Sequence, residues 1–547
     1  MSSGPPPRTP TAATLQSLRD ELKGNIIRNV NGLFAKNFEG KSRSAVVQSK
    51  LQDTQSAKII SKLCAGVPDI ARFDSLLEWL AHFQTLLFAA EQAGLHFQSQ
   101  PLSSTGGAPG AAISLETSGA PSISGSTRVF GEFHHDNTPL ADDDDDTLRF
   151  CEHAHHVLKT QSARCFVHGF LVRGTTLELW IFDRSGAYSS ERLDLAQAPD
   201  LLVRTLAGYV LMDDEKAGFN TFVKHGAPGS DGYVTFHHDD KFYLRPEPIA
   251  MADYIVGPGT SCYAASVSTV GEPDTVIKFS WREDKEPTEV RLLEQAHKRN
   301  ACGVVQLVGH QDLVSIADLR QGLKFPQPFV PRTFSCVATT PLGRPIREYT
   351  SIPELLEVLR DLVKALQSLY VNARILHRDV AIKNLIIAPQ HSADGLKAPV
   401  LSSQWSGQMD SWPLASSSHT YRHDLESLLY VFLWIAIAND RVRDEANDIL
   451  EGMPKTSRLW KWCTMDFCAV GRDKAADMRP EGFEGILGEF SSDFASLQGL
   501  ARELHALIFP VRDGEIFTGI ETDQVAVQKL YNGIAAAFDR SARALYS

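Results

Sequence analysis

Four polar residues within eight positions, His377, Arg378, Asp379 and Asn384, bring an imidazole, a guanidinium, a carboxylate and a carboxamide into one short stretch. Ile375 and Leu376 lead into it, and Leu385, Ile386 and Ile387 form a β-type apolar exit. That pattern describes a loop clamped between two buried segments, the place where chemistry is expected. Two other stretches carry groups suited to holding anions. Residues 254–265 run from a β-type segment through Gly257-Pro258-Gly259 and out again, a turn in which backbone amides can approach phosphates. Lys278 is the single lysine of the apolar strand 275–279, and Glu289 lies one helical turn before Leu292 and Leu293, facing inward where it can pair with that lysine.

The elements that must position these groups are legible from periodicity. Residues 351–370 have Leu355, Leu356, Leu359, Leu362, Val363, Leu366 and Leu369 on one side of a long helix that delivers the chain into the 375–387 loop. Asp424 and Glu426 open a helix at its positive end, and residues 428–438 are apolar on every face, which places that helix at the centre of a helical lobe. Further helices are expected over 460–468 and 494–508, and residues 337–343 end a strand in a hinge-like turn. Upstream, helices are expected over 15–30 and 73–93. Residues 165–172 and 177–182 flank a Gly-containing turn as a β-hairpin, with a third strand over 189–195. The Gly/Ala/Ser-rich stretch 103–126 is expected to be a flexible insertion, the acidic run 142–146 a solvated loop, and residues 1–14 a disordered tail.

Composition narrows the function classes. A length of 547 residues with 43% hydrophobic and 22% charged residues suits a soluble protein of more than one domain. The net charge of −12 argues against general nucleic-acid or anionic-membrane binding. The longest apolar run is too short to span a bilayer, no signal peptide opens the chain, and an intracellular location is expected. Eight scattered cysteines without a C-x-x-C pair read as reduced thiols. Histidines beside carboxylates (His134-His135-Asp136, His153 with His155 and His156, His237-His238-Asp239-Asp240) raise a metal site, which is set aside because neighbouring histidines on one element point in different directions.

The motifs together resemble the fungal-type protein kinase family. The resemblance rests on Val256-Gly-Pro-Gly-Thr, Val276-Ile-Lys278-Phe-Ser-Trp281, residues 375–387 with their H-R-D-x-x-x-x-N pattern, and His423-Asp-Leu-Glu-Ser-Leu-Leu-Tyr-Val-Phe-Leu-Trp434. It extends to Asp183-Arg-Ser-Gly186 and the hairpin before it. It implies an α+β chain. An accessory α+β domain (15–245, carrying the insertion) would precede a bilobal kinase-like domain (246–520), with a β-rich N-lobe and a helical C-lobe, and a helical extension (521–547) would follow. It further implies ATP and Mg²⁺ as cofactors and a protein as substrate or partner. By the same resemblance, Gly257 and Gly259 would cover the phosphates, Lys278 and Glu289 would form an ion pair on them, and Asp379 would take the proton of the acceptor hydroxyl. Asn384 would hold the metal, Lys383 would reach the transferring phosphate, and Asp424 would brace the loop. One position departs from the family pattern: the apolar strand 399–401 leads to Ser403 where an Mg²⁺-binding Asp belongs, and a hydroxyl does not replace a carboxylate on a hard dication. The alternative is therefore a pseudokinase, an interaction module with weak or no phosphotransfer.

Overall fold

The computed structural model describes residues 12–39, 61, 76, 78–81, 83–84, 95–102, 110–117, 126–134, 145–225, 232–236, 240–285, 287–388, 399–401, 419–438, 453–464, 467–512, 515–517, 519, 521 and 523–546. They form an α+β chain that divides into two units, residues 1–284 with 309–338, and residues 285–308 with 339–547.

The first unit begins with helix α1 (Ala12–Leu22), which stops short of the span expected over 15–30 because Gly24, at φ 75°, turns the chain out of the helix. Strand β1 (Ile26–Ile27) and helix α2 (Leu33–Phe38) follow. The first sheet is completed by β2 (Leu95–Leu102), β3 (Gly110–Thr117), β4 (Thr127–His134), β5 (Val167–Arg173), β6 (Thr176–Asp183), β7 (Gly186–Ser189) and β8 (Leu193–Asp194). Its order is β1-β7-β6-β5-β4-β3-β2, with β8 beside β6. The expected hairpin is β5–β6, closed through Gly174 at φ 53°.

Helix α3 (Asp145–Thr160) crosses between the parallel strands β4 and β5, and helix α4 (Asp200–Val210) covers the opposite face. Alternation along the central strands sorts the core into two layers. Phe170, Val172, Leu177, Leu179 and Ile181 pack with α2 and α4, while Leu171, Trp180 and Phe182 pack with α1 and α3.

The flexible insertion expected over 103–126 is corrected here. Residues 110–117 are strand β3, paired on both sides, and Ala111, Ile113 and Leu115 are buried. Small residues had suggested a loop, but a strand held between two neighbours needs only the alternation that Ile113 and Leu115 supply. The acidic run is likewise shorter than a loop reading implied, since Asp145 and Asp146 already belong to the first turn of α3. Residues 1–11, 103–109, 118–125 and 142–144 lie outside the described residues, as do His135, Asp136 and 237–239. Of the helix expected over 73–93, Leu76, Trp79, Leu80 and Phe83 are helical and buried.

A second sheet joins β9 (Lys224–His225), β10 (Gly232–Thr235), β11 (Lys241–Met251), β12 (Ser261–Ser266), β13 (Thr275–Glu283), β14 (Gln306–Ser315) and β15 (Arg332–Thr340). Its order is β14-β15-β13-β12-β11-β10-β9. Ile277, Phe279 and Trp281, every second residue of β13, are fully buried with Phe242, Leu244 and Phe334.

The second unit is mainly helical, with helices α5 (Glu289–Lys298), α6 (Ile352–Ser368), α7 (Tyr421–Ala438) and α8 (Gln524–Tyr546) around one apolar core. Ser351 caps α6 through its hydroxyl, which accepts from Glu354 N, and Pro353 sits in the first turn. Nearly the whole of α7 is buried, as expected of a helix apolar all round. A small sheet, β16 (Arg344–Pro345), β17 (Leu385–Ile387) and β18 (Pro399–Leu401), adjoins them in the order β16-β17-β18.

Candidate active site

In the second unit, the chain leaves α6 through a widened turn over Leu369–Ala373 and enters the 375–387 loop at Arg374, in the left-handed region at φ 60°. Ile375, His377, Asp379, Val380 and Asn384 are buried, whereas Arg378 and Lys383 are exposed. Arg378 is also left-handed, at φ 68°, a conformation that costs a non-glycine residue roughly 1–2 kcal/mol unless its surroundings hold it. Asp424, in the first turn of α7, supplies that hold. Its Oδ2 accepts His377 N–H at 2.9 Å and its Oδ1 accepts Arg378 N–H at 2.9 Å. His419 Nε2 lies 2.8 Å from Oδ1, so the carboxylate has three donors at the positive end of a buried helix. The brace expected of Asp424 is thus present in the geometry.

With its backbone fixed, the loop brings two of the expected residues together. Asn384 Nδ2 donates to Asp379 Oδ2 at 2.8 Å and to Asp379 O at 2.9 Å, closing the five-residue interval into a ring. A short 3₁₀ turn, Ile382–Asn384, makes this reach possible, with Asn384 N bonded to Ala381 O at 2.8 Å. The exit strand β17 pairs with β18, so the apolar strand expected over 399–401 does follow the loop in space. Ser402, Ser403 and the stretch 404–418 lie outside the described residues.

In the first unit, Lys278 is half-buried on β13, opposite Cys262 of β12, and points to the face away from Ile277 and Phe279. The turn joining β11 to β12 holds Gly257 and Gly259, both buried and both left-handed at φ 138° and 50°. A side chain at 257 would strike the Tyr254 ring, and one at 259 would strike the Arg184 guanidinium. Pro258 O accepts Trp281 N–H at 2.7 Å, which ties the turn to the strand of Lys278. Glu289 belongs to the second unit, where it opens α5 behind the N-cap Thr288 and is half-buried; its neighbour Glu294 is exposed.

The fold also makes contacts among titratable groups that the sequence did not show. His134 and His153, nineteen positions apart, converge on Glu132, at 2.7 Å and 3.1 Å. Burial alone would raise the Glu132 carboxyl, but the two imidazoles outweigh it and hold the group at about 2. No cluster of three or more His, Cys, Asp or Glu suited to a metal occurs among the described residues. His423 is pushed down to about 4 by burial and by His419, and its Nδ1 accepts Thr420 N–H at 2.8 Å. His419 itself escaped the sequence reading, although it stands only five positions before Asp424.

Comparison with curated proteins gave no match. A family model described as fungal protein kinase matches residues 125–403, just over half of the chain. The matched segment starts in the first sheet, includes Gly257, Gly259, Lys278, Glu289, Asp379, Lys383 and Asn384, and ends just past β18, ahead of α7. The chain belongs to the fungal protein kinase family.

Proposed function

We propose that this protein is a bilobal protein kinase that transfers the γ-phosphoryl group of ATP to a protein hydroxyl. The observation that carries the reading is the Asp379–Asn384 ring on a loop suspended from Asp424. A carboxylate held in place by a neighbouring amide is pre-positioned to accept a proton, and pre-positioning costs no reorganisation during the reaction. In this reading Asp379 takes the proton of the acceptor hydroxyl, and the exposed ammonium of Lys383 meets the transferring phosphate. Lys278 and the Gly257–Gly259 turn are the phosphate-binding groups that this reading expects of the first unit, and Glu289 is the residue that the family pattern would pair with that lysine.

The donor chemistry fits Mg²⁺, which binds hard oxygens and is commonly held by one or two protein groups together with phosphates and water. The amide nitrogen of Asn384 donates to Asp379, and in this reading its carboxamide oxygen is the atom that would hold the metal. Bound Mg²⁺ would supply charge neutralisation of the nucleotide phosphates. The second reading, a pseudokinase acting as an interaction module, is favoured by Ser403 at the position of a metal-binding carboxylate.

Radiolabelled ATP with a generic protein substrate separates the two. Label transferred by the wild type and lost in Asp379→Ala supports the kinase, and no label from either protein supports the interaction module. Lys278→Met is expected to shrink the ATP-induced rise in melting temperature while the fold persists, and an unchanged rise would remove Lys278 from the site.

A further inference from the structure

The glycine-containing turn of the first unit is built into the core of the sheet that precedes it. Ile255 is fully buried among Leu15, Leu18 and Leu22 of α1, residues of α3, and Trp180 and Phe182 of β6, with Val256 packed beside it. Glu21, near the end of α1, places one carboxylate oxygen 2.6 Å from both Ile255 N and Val256 N. Gly257 N–H donates to Arg184 O at 3.0 Å. Pro258 has no N–H. The three consecutive donors of Ile255, Val256 and Gly257 are therefore directed at protein acceptors.

Arg184, almost fully buried, closes the arrangement from below. Its Nη1 donates to Tyr254 O at 2.5 Å and Ile255 O at 3.3 Å, and it fills the space that glycine leaves at 259. At the entry to the turn, the exposed Asp253 is tied to His155 at 3.0 Å and Lys159 at 2.7 Å, both on α3. Consecutive backbone N–H groups in a turn form an anion site, and here the anion is a carboxylate of the same chain.

We propose that α1 is an intramolecular latch on the glycine-rich turn, with the Glu21 carboxylate occupying amides that nucleotide phosphate must win, so that nucleotide binding is restrained until α1 lets go. The proposal rests on the kinase reading of this turn and adds its regulation. One feature of Glu21 suits a release point: burial outweighs the two amides and raises its carboxyl, so the ionised form is held at a cost.

The test uses the full chain as wild type, Glu21→Gln, Asp253→Asn and the double variant Glu21→Gln/Lys278→Met, with two readouts: hydrogen exchange of residues 253–260, and the Kd for ATP. In Glu21→Gln the amides of Ile255 and Val256 should exchange faster and ATP should bind about tenfold tighter, the change expected if the latch is closed in roughly nine molecules of ten. Asp253→Asn, which loosens only the exposed entry, should move both readouts the same way by less. Faster exchange with an unchanged or weaker Kd for ATP overturns the latch and makes Glu21 a simple brace. Unchanged exchange overturns it as well, since the carboxylate then does not hold the turn. A gain in affinity that survives Lys278→Met supports the latch while removing Lys278 from the nucleotide site, and so separates failure of the kinase reading from failure of this one.

Discussion

Two loops in this protein, one in each unit, are hung the same way: a single side-chain carboxylate accepts two consecutive backbone amides. Asp424 holds His377 and Arg378, and Glu21 holds Ile255 and Val256. The difference lies in where each carboxylate stands. Asp424 opens α7, where the helix dipole favours negative charge, and His419 adds a third donor. Glu21 is the second-last residue of α1, at the end where the dipole opposes negative charge, and burial raises its carboxyl further. The same hydrogen-bonding device thus yields a permanent brace in one unit and a strained hold in the other. Attachment follows the same division. The Asp424 loop is anchored by buried residues on both flanks, whereas the Glu21 turn owes its place to Ile255 and Val256 entering the core of the preceding sheet.

The largest effect expected from breaking the comparison is at Asp424. Asp424→Ala leaves the buried His377 N–H, the part-buried Arg378 N–H and a left-handed Arg378 without their hold, and should cost about 3 kcal/mol in denaturant unfolding together with any phosphotransfer activity. Glu21→Ala should cost less, about 1–2 kcal/mol, because it leaves two amides without their acceptor but releases no left-handed non-glycine residue. Equal losses at the two sites would mean that both carboxylates are permanent braces.

Acid sharpens the contrast between units without mutation. His423 is neutral in the folded second unit down to about pH 4, while the unfolded chain takes up that proton below 6.5, so its contribution to stability falls as pH drops from 6.5 towards 4. Glu132 has the opposite character, ionised in the fold down to about 2 against 4.5 unfolded; its contribution is complete above 4.5 and is lost between 4.5 and 2. Its partner His153, raised in the fold, contributes most below its ordinary 6.5. Hydrogen exchange followed against pH should therefore show α7 loosening at milder acidity than β4 and α3, and His423→Gln should flatten the earlier limb. Simultaneous loosening would refute the assignment. The smallest expected effect is Asp253→Asn, whose exposed carboxylate pairs with Lys159 and contacts His155 and should change stability by no more than about 0.5 kcal/mol.

How much could be read in advance follows from the range of each interaction. The Asp379–Asn384 interval, the lysine of β13, the capped α6 and the buried α7 are local patterns, and their periodicity and residue type survive without the fold. Asp424 was foreseen through the family motif it opens, because the motif places it at the start of α7. Strand β3 was missed because composition was weighed over alternation, and a strand with neighbours on both sides tolerates alanine and glycine. The convergence of His134 and His153 on Glu132 carried no local signal, since β4 and α3 meet only after the sheet forms.

The amino-acid order alone determined the kinase-type loop, the glycine turn, the lysine strand and the helices around them, because each is written within a few consecutive turns or strand positions. Tertiary structure alone decided what holds them. Glu21 lies 234 positions before Ile255, and only the folded core brings that carboxylate to those amides. A hydrogen bond acts over about 3 Å, so contacts between distant stretches of chain are settled by packing and leave no trace in local sequence.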